Sequence, residues 1–133
     1  MSVTISSEAW SASCSCRDFE MKPGIYIHIP FCEQRCYYCA FTVAVSPETA
    51  FAPYVERLVC EIELSGFGRE ARTIYFGGGT PSIISADLLG RVLQQLPSSA
   101  DEVSVEANPG TLSEDKARHY RDLGITRISL GAQ

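Results

Sequence analysis

Several scarcities narrow what this chain can do before any motif is read. Positive charge is in short supply: 11 Lys and Arg stand against 16 Asp and Glu, a formal net charge of −5. A surface for nucleic acid needs clustered Lys and Arg against the phosphates, so this balance argues against that class of partner. No apolar run approaches the roughly 18 residues of a membrane-crossing helix, and no span is expected. The N-terminus, MSVTISSEAWSAS, lacks the basic start and apolar stretch of a secretory signal. The cytoplasm is therefore the expected location. Low-complexity segments and long repeats are also missing. The 133 residues suffice for one small domain and are too few for two. A hydrophobic share of 45% with 20% charged residues is ordinary for a globular domain.

What is present begins after Met21-Lys22-Pro23-Gly24. Residues 1–22 are Ser-rich and show neither a twofold nor a 3.6-residue period, and they are expected to be a disordered extension, with Met21 a candidate start. From Gly24 the chain alternates between two periodicities. GIYIHIP (24–30) sets Ile25, Ile27 and Ile29 against Tyr26 and His28, which predicts a strand. Over 51–65, Val55, Leu58, Val59 and Ile62 recur on one helical face, with Pro53 in the first turn and Gly66 at the end. RTIYF (72–76) predicts a second strand running into GGGTP. Ser85 is positioned to cap a second helix with Leu88, Leu89, Val92 and Leu96 on its apolar stripe. EVSVEAN (102–108) predicts a third strand, and Thr111-x-x-Glu114 reads as a capping box for a helix that stops near Gly124. TRISLGAQ starts a fourth strand. The order β-α-β-α-β-α-β predicts an α/β fold of parallel strands joined by crossover helices. A parallel sheet normally has both faces covered, and the fourth strand would leave a raw edge, so the chain is expected to be a fragment, poorly soluble by itself.

Cysteine is the abundant exception, with six in a chain expected to be cytoplasmic. Cys32, Cys36 and Cys39 fall within eight residues directly after the first strand. That is too crowded for a disulfide framework and suits a metal centre. In parallel α/β architectures the C-terminal strand ends are where sites are built. An iron–sulfur cluster of four irons usually takes four thiolates. With three, one iron keeps an open position, as a catalytic zinc does with three protein ligands. An open iron can bind a small molecule and pass it an electron. The competing reading is structural zinc, which wants a fourth Cys or His at a typical spacing. His28 is the one imidazole nearby, and it lies on the strand. Cys60, on the helical stretch, reads as a small apolar core residue. Cys14 and Cys16 belong to the N-terminal extension.

Gly77-Gly78-Gly79-Thr80-Pro81 lacks the Lys of a P-loop and the spacing of a dinucleotide fingerprint. Its glycines let the backbone approach a ligand closely, and its free N–H and C=O groups could grip an amino-acid head group. The alternative is a tight strand-to-helix turn. Glu106 stands at the end of the third strand, opposite the face of Val103 and Val105. A carboxylate there needs a partner, either an amine or hydroxyl of a ligand or a neighbouring Arg such as Arg127. Gln133 lies at the end of the fourth strand. All four strand ends thus deliver polar or metal-binding residues to one rim.

The runs YIHIPFCEQRCYYCAF, YFGGGTPS, VEANPGTL and RISLGAQ, in this order, resemble radical S-adenosylmethionine (SAM) proteins. Within them the resemblance is to the branch of oxygen-independent coproporphyrinogen III oxidase and the related heme chaperones, and it covers residues 24–133. It implies a partial (β/α)6 barrel whose N-terminal half is residues 23–133, truncated before its later strands. It also implies that Cys32, Cys36 and Cys39 ligate a [4Fe–4S] cluster whose fourth iron is chelated by SAM. Tyr26, Tyr38, Gly78, Gly79, Thr80, Glu106 and Gln133 match SAM-contacting positions. Reduction of the cluster would cleave SAM to a 5′-deoxyadenosyl radical, with the protein orienting the cofactor and excluding water and oxygen. The implied partners are heme or a porphyrinogen, an electron donor such as flavodoxin or ferredoxin, and a heme-acceptor protein.

Two departures matter. The decarboxylating oxidase carries a further cysteine two residues past the third ligand, and this sequence has Phe41 there. That favours the heme-chaperone group, in which heme is a further ligand, over the oxidase. The second departure is truncation: the Arg and Asp contacts of later strands and any porphyrin-binding residues lie beyond the sequence. The piece is accordingly not expected to be active alone.

Overall fold

The computed structural model describes residues 23–66 and 70–132. The expectations placed on Cys14, Cys16, the N-terminal extension and Gln133 fall outside those residues.

Four strands and three helices alternate: β1 (Gly24–Ile29), α1 (Phe51–Ser65), β2 (Thr73–Gly78), α2 (Ala86–Leu93), β3 (Glu102–Ala107), α3 (Glu114–Asp122) and β4 (Arg127–Leu130). The strands form one parallel sheet in the order β1-β2-β3-β4. Consecutive order without a reversal is the winding of a barrel segment, whereas a doubly wound sheet reverses direction at a switch point.

The twofold alternation of the strands decides what faces what. Ile27 and Ile29, Ile74 and Phe76, and Val103 and Val105 are buried on one face, against Val55, Leu89, Val92 and Tyr120 of the helices. Each large apolar side chain so buried contributes roughly 2 kcal/mol. α1 packs beside α2, and α2 beside α3. The other face carries Tyr26 and His28, Tyr75 and Gly77, Ser104 and Glu106. Its polar character follows directly from the alternation read in the sequence.

Most helix boundaries obey local rules. Gly66 ends α1 in the left-handed region, at φ 67°, where a Cβ would be strained. The Ser85 side chain accepts the Leu88 N–H and caps α2. Gly124, at φ 89°, follows α3.

Two local expectations are overturned. The cap of α3 is Ser113, whose hydroxyl accepts the Lys116 N–H at 3.2 Å, and Thr111 closes a 3₁₀ turn, Pro109–Thr111. Pro109 starts that turn, and the Thr111 hydroxyl is occupied elsewhere, donating to the Asn108 carbonyl at 3.0 Å and contacting the buried Ser82 hydroxyl. Cys60 is exposed on α1 rather than part of the core. One residue past Val59 means about 100° of helical rotation, which carries it off the apolar stripe. Among the described residues no helix is long and apolar enough to cross a membrane.

Tyr120 is wholly buried, and its hydroxyl finds no partner among the described residues. Burial pushes its pKa above the ordinary tyrosine range. An orphaned buried hydroxyl costs about 1–3 kcal/mol, so Tyr120→Phe is expected to stabilise the fold by about 1 kcal/mol. Chemical denaturation checks this, and a variant less stable than the parent would mean that the hydroxyl is bonded.

Candidate metal and cofactor site

The loop that follows β1 is fastened at both its ends. Phe31 and Ala44 form a parallel bridge, the Cys32 N–H donates to the Ala44 carbonyl, and the Ala44 N–H donates to that of Pro30. The Phe31 ring packs 4.7 Å from Phe51 and 5.1 Å from Tyr54, tying the loop to α1. Between these anchors Cys32, Cys36 and Cys39 stand half-buried, with the Cys39 N–H donating to the Cys36 carbonyl at 3.1 Å.

The glycine turn packs against this loop backbone to backbone. Gly79 N–H donates to Ile29 at 2.8 Å and Thr80 N–H to Phe31 at 2.7 Å. A Cβ on Gly79 would lie 2.5 Å from the Phe31 carbonyl oxygen. Gly78, at φ 116°, has no room either, since a Cβ would meet the His28 ring at 2.6 Å. Close approach to the neighbouring backbone and to His28 therefore requires glycine here, which is the tight-turn alternative; the approach to a ligand expected from the sequence is a separate matter.

Cys32, Glu33, Cys36, Tyr38, Cys39 and Phe41 of this loop line a cavity of about 380 Å³ together with Gly78, Gly79, Thr80, Glu106 and Asn108. Ala132, at the end of the described chain, also reaches it. A smaller cavity of about 190 Å³ continues along the ends of β3 and β4, past Glu106, Asn108, Ser129 and Gly131. The structure therefore brings together every sequence-predicted residue except two. Gln133 lies outside the described residues. Tyr26 stands outside the cavity, on the polar face next to Glu106, because Gly77 between them has no side chain: a Cβ there would come within 2.8 Å of Tyr75, 3.1 Å of Tyr26 and 3.2 Å of Glu106.

Glu106 has a partner that was not foreseen. Its carboxylate accepts the Tyr75 hydroxyl at 2.6 Å and the Gly78 N–H at 3.3 Å. Arg127 instead pairs with Glu102 at 3.4 Å, at the other end of the strand. The hydrogen bond to Glu106, followed by burial, raises the Tyr75 pKa from 10.0 to about 12. A pKa raised on folding means that the protonated form is favoured in the native state. That stability is complete below about pH 10 and is lost as the pH climbs to about 12. Tyr75→Phe is therefore expected to flatten the fall in unfolding free energy over this window. Denaturant titrations at stepped pH check it, and equal slopes in the two proteins would refute it.

Asn108 is the second residue that sequence reasoning missed. Its amide donates to the Thr80 hydroxyl at 3.1 Å, and its backbone N–H donates to Ser82. Tyr75 could have been found from the alternation of β2, which puts it on the face of Glu106. Asn108, just past a strand, gave no periodic signal.

The donor set suits an iron–sulfur cluster. Three cysteines share one loop that lines a cavity, beside a backbone turn too crowded for any side chain. Three cysteines on one loop are one ligand short of a four-ligand structural zinc set, whereas a cluster with one open iron needs three. A sequentially wound parallel sheet with a CxxxCxxC loop after its first strand and a glycine turn after its second is the N-terminal design of a radical SAM domain. The family model of the radical SAM superfamily matches residues 26–133. The chain belongs to that superfamily, in the branch that holds the heme chaperones and coproporphyrinogen III oxidase.

The heme chaperone HemW of Escherichia coli is 42% identical over 119 residues, covering 83% of this chain and 32% of that protein. HemW of Bacillus subtilis is 38% identical over 119 residues, covering 81% of this chain and 31% of that protein. The solved structure of coproporphyrinogen III oxidase (HemN) from Escherichia coli, described as a radical SAM enzyme, superposes with a TM-score of 0.75 at 28% identity. That match covers 86% of this chain and 29% of HemN. The chain thus spans about a third of the length of the relatives it matches.

Proposed function

We propose that this chain forms the cluster- and SAM-binding part of a heme chaperone. The observation that carries the reading is the shared cavity in which the three cysteines face the glycine turn and Glu106. Cys32, Cys36 and Cys39 would hold a [4Fe–4S] cluster, leaving one iron open. Bound there, the cluster would supply one electron for the cleavage of SAM to methionine and a 5′-deoxyadenosyl radical. The chain's own part is to bind and orient. Gly78 and Gly79 offer backbone groups at close range to the methionine end, and the Thr80 hydroxyl is held beside them. Glu106, already anchored by Tyr75 and Gly78, keeps lone pairs for an amine or ribose hydroxyl. Tyr38 would lie against the adenine, Tyr26 would flank Glu106, and Gln133 would add a contact from the fourth strand.

The chaperone reading draws on two supports: the Escherichia coli and Bacillus subtilis relatives carry that name, and Phe41 stands where the oxidase pattern has a cysteine. Phe41 lines the cavity and is 70% exposed, an apolar side chain presented at its rim. Heme, an electron donor such as flavodoxin or ferredoxin, and a heme-acceptor protein are the partners proposed for the whole protein. The oxidase reading would require turnover of coproporphyrinogen.

Anaerobic reconstitution of the full-length protein tests this proposal. A [4Fe–4S]⁺ EPR signal that changes when SAM is added is expected, with heme retained through gel filtration and no decarboxylation of coproporphyrinogen III. A cluster indifferent to SAM would sink the radical SAM reading; turnover of coproporphyrinogen would replace the chaperone by the oxidase.

A further inference from the structure

From Thr80 and Asn108 on the cavity wall a chain of polar contacts runs back into the fold. Thr80 is buried, and its hydroxyl lies 3.7 Å from the Cys32 sulfur and 3.1 Å from the Asn108 amide nitrogen. Asn108 is itself held from three sides: its N–H donates to the Ser82 hydroxyl at 3.2 Å, and its carbonyl accepts the Thr111 N–H and the Thr111 hydroxyl, each at 3.0 Å. Ser82 is fully buried and is clamped by Thr111 and by the Lys116 ammonium, which donates to the Ser82 carbonyl. The network ties the start of α3 and the end of β3 to the glycine turn, and through Thr80 to the first cysteine.

Donor and acceptor counting fixes where the protons go. An amide nitrogen can only donate, so the Thr80 oxygen accepts from Asn108. A cysteine that ligates iron is a thiolate and can only accept. The single Thr80 hydrogen is therefore left for the Cys32 sulfur, 3.7 Å away and within reach of a long hydrogen bond to sulfur. We propose that Asn108 is a positioning residue that holds the Thr80 hydroxyl as a hydrogen-bond donor to Cys32 and so raises the reduction potential of the cluster. The inference rests on the cluster reading above. The physical reason is general: a donor to a cluster sulfur stabilises the extra negative charge of the reduced state. The second lone pair of the Thr80 oxygen stays available to a ligand amine in the cavity, so the two roles do not compete.

Substitution of Asn108 by aspartate separates positioning from support. Asn108→Asp keeps the shape of the side chain but turns a donor into an acceptor, which draws the Thr80 hydrogen away from the sulfur. Thr80→Val removes the hydroxyl outright at similar volume, and Thr80→Ser keeps it. In the full-length reconstituted protein, EPR-monitored redox titration without SAM should give wild-type potential for Thr80→Ser. Thr80→Val should lose about tenfold in the equilibrium constant for reduction, about 59 mV for one electron. Asn108→Asp should lower the potential comparably, and combining it with Thr80→Val should add little, since both act on one hydrogen bond. A charge effect of the aspartate alone would instead add in full to that of the valine.

A wild-type potential in Thr80→Val, or full additivity in the double variant, overturns the inference and leaves the cluster assignment standing. A wild-type protein that takes up no cluster overturns both. Iron and sulfide content equal to wild type shows that the variants are loaded. If Thr80→Val does not fold, Asn108→Asp decides alone: an unchanged potential refutes the positioning role.

Discussion

Cys36→Ala is expected to abolish the [4Fe–4S]⁺ EPR signal while leaving the fold intact. Cys36 is half-buried at the centre of a loop whose anchors lie elsewhere, in the Phe31–Ala44 bridge and in the packing of Phe31 on Phe51 and Tyr54. Its thiol is not part of the apolar core, so its removal should change the melting temperature of the apo-protein little. Loss of one of three ligands is a different matter. Changes in outer-shell residues alone lower metal affinity by about 10–100-fold, and removal of a ligand should exceed that. Iron and sulfide per chain should fall at least about tenfold by the same reasoning. Cys60→Ser is the internal control, because Cys60 is exposed on α1, away from the loop. A Cys36→Ala protein that retains a SAM-responsive cluster would mean that this loop does not hold it.

Gly79→Ala is the second large effect, and it should act on structure and site together. The added Cβ would lie 2.5 Å from the Phe31 carbonyl oxygen and 2.8 Å from the Pro30 carbonyl. These are backbone atoms, so no rotamer change relieves the clash. Any retreat of the turn would break the bonds from Gly79 to Ile29 and from Thr80 to Phe31. The expected cost is about 3 kcal/mol or more, at the upper end for overpacking. Because the Cys32 loop hangs on the same contacts, cluster uptake should fall with it. Gly110→Ala serves as the comparison: nothing lies within 4 Å of a Cβ there and its φ is not in the left-handed region, so the change should stay within about 0.5 kcal/mol. Equal melting curves for the two variants would show that the turn has slack that the geometry does not suggest.

Both predictions rest on features that were legible in the sequence, and it is instructive which were not. The Cys32-Cys36-Cys39 spacing, the strand before it and the glycine run at the end of β2 are statements about near neighbours along the chain. Their local geometry follows from chain stereochemistry. The partners of those residues depend on strand register. Of the partners expected for Glu106, Arg127 is drawn instead to Glu102, and Tyr75 on the adjacent strand, not foreseen, donates to the carboxylate. β2 continues through Gly77 and Gly78, beyond the predicted 72–76, because both glycines pair with β1, at His28 and Ile29.

The capping box shows the same division from another side. Thr111-x-x-Glu114 satisfies a local rule, yet the buried Ser82 hydroxyl draws Thr111 into a tertiary contact and leaves the cap to Ser113. Cys60 was assigned to the core on residue type, and helical phase decided otherwise. Asn108 had no signal because its meaning lies in what it touches across the fold.

By itself, then, the sequence determined the order of elements, the parallel α/β class, the polar and apolar face of each strand, and the cysteine loop with its glycine turn. Each of these follows from periodicity, steric rules or the chemistry of residues close in sequence. The tertiary structure alone decided that the cysteine loop and the glycine turn share one cavity, that Tyr75 holds Glu106, and that Asn108 reaches Cys32 through Thr80. The hydrogen bonds behind those relations join residues 28 to 48 positions apart, and no local energy term connects them: only the packing of helices against a sheet in one register brings them together.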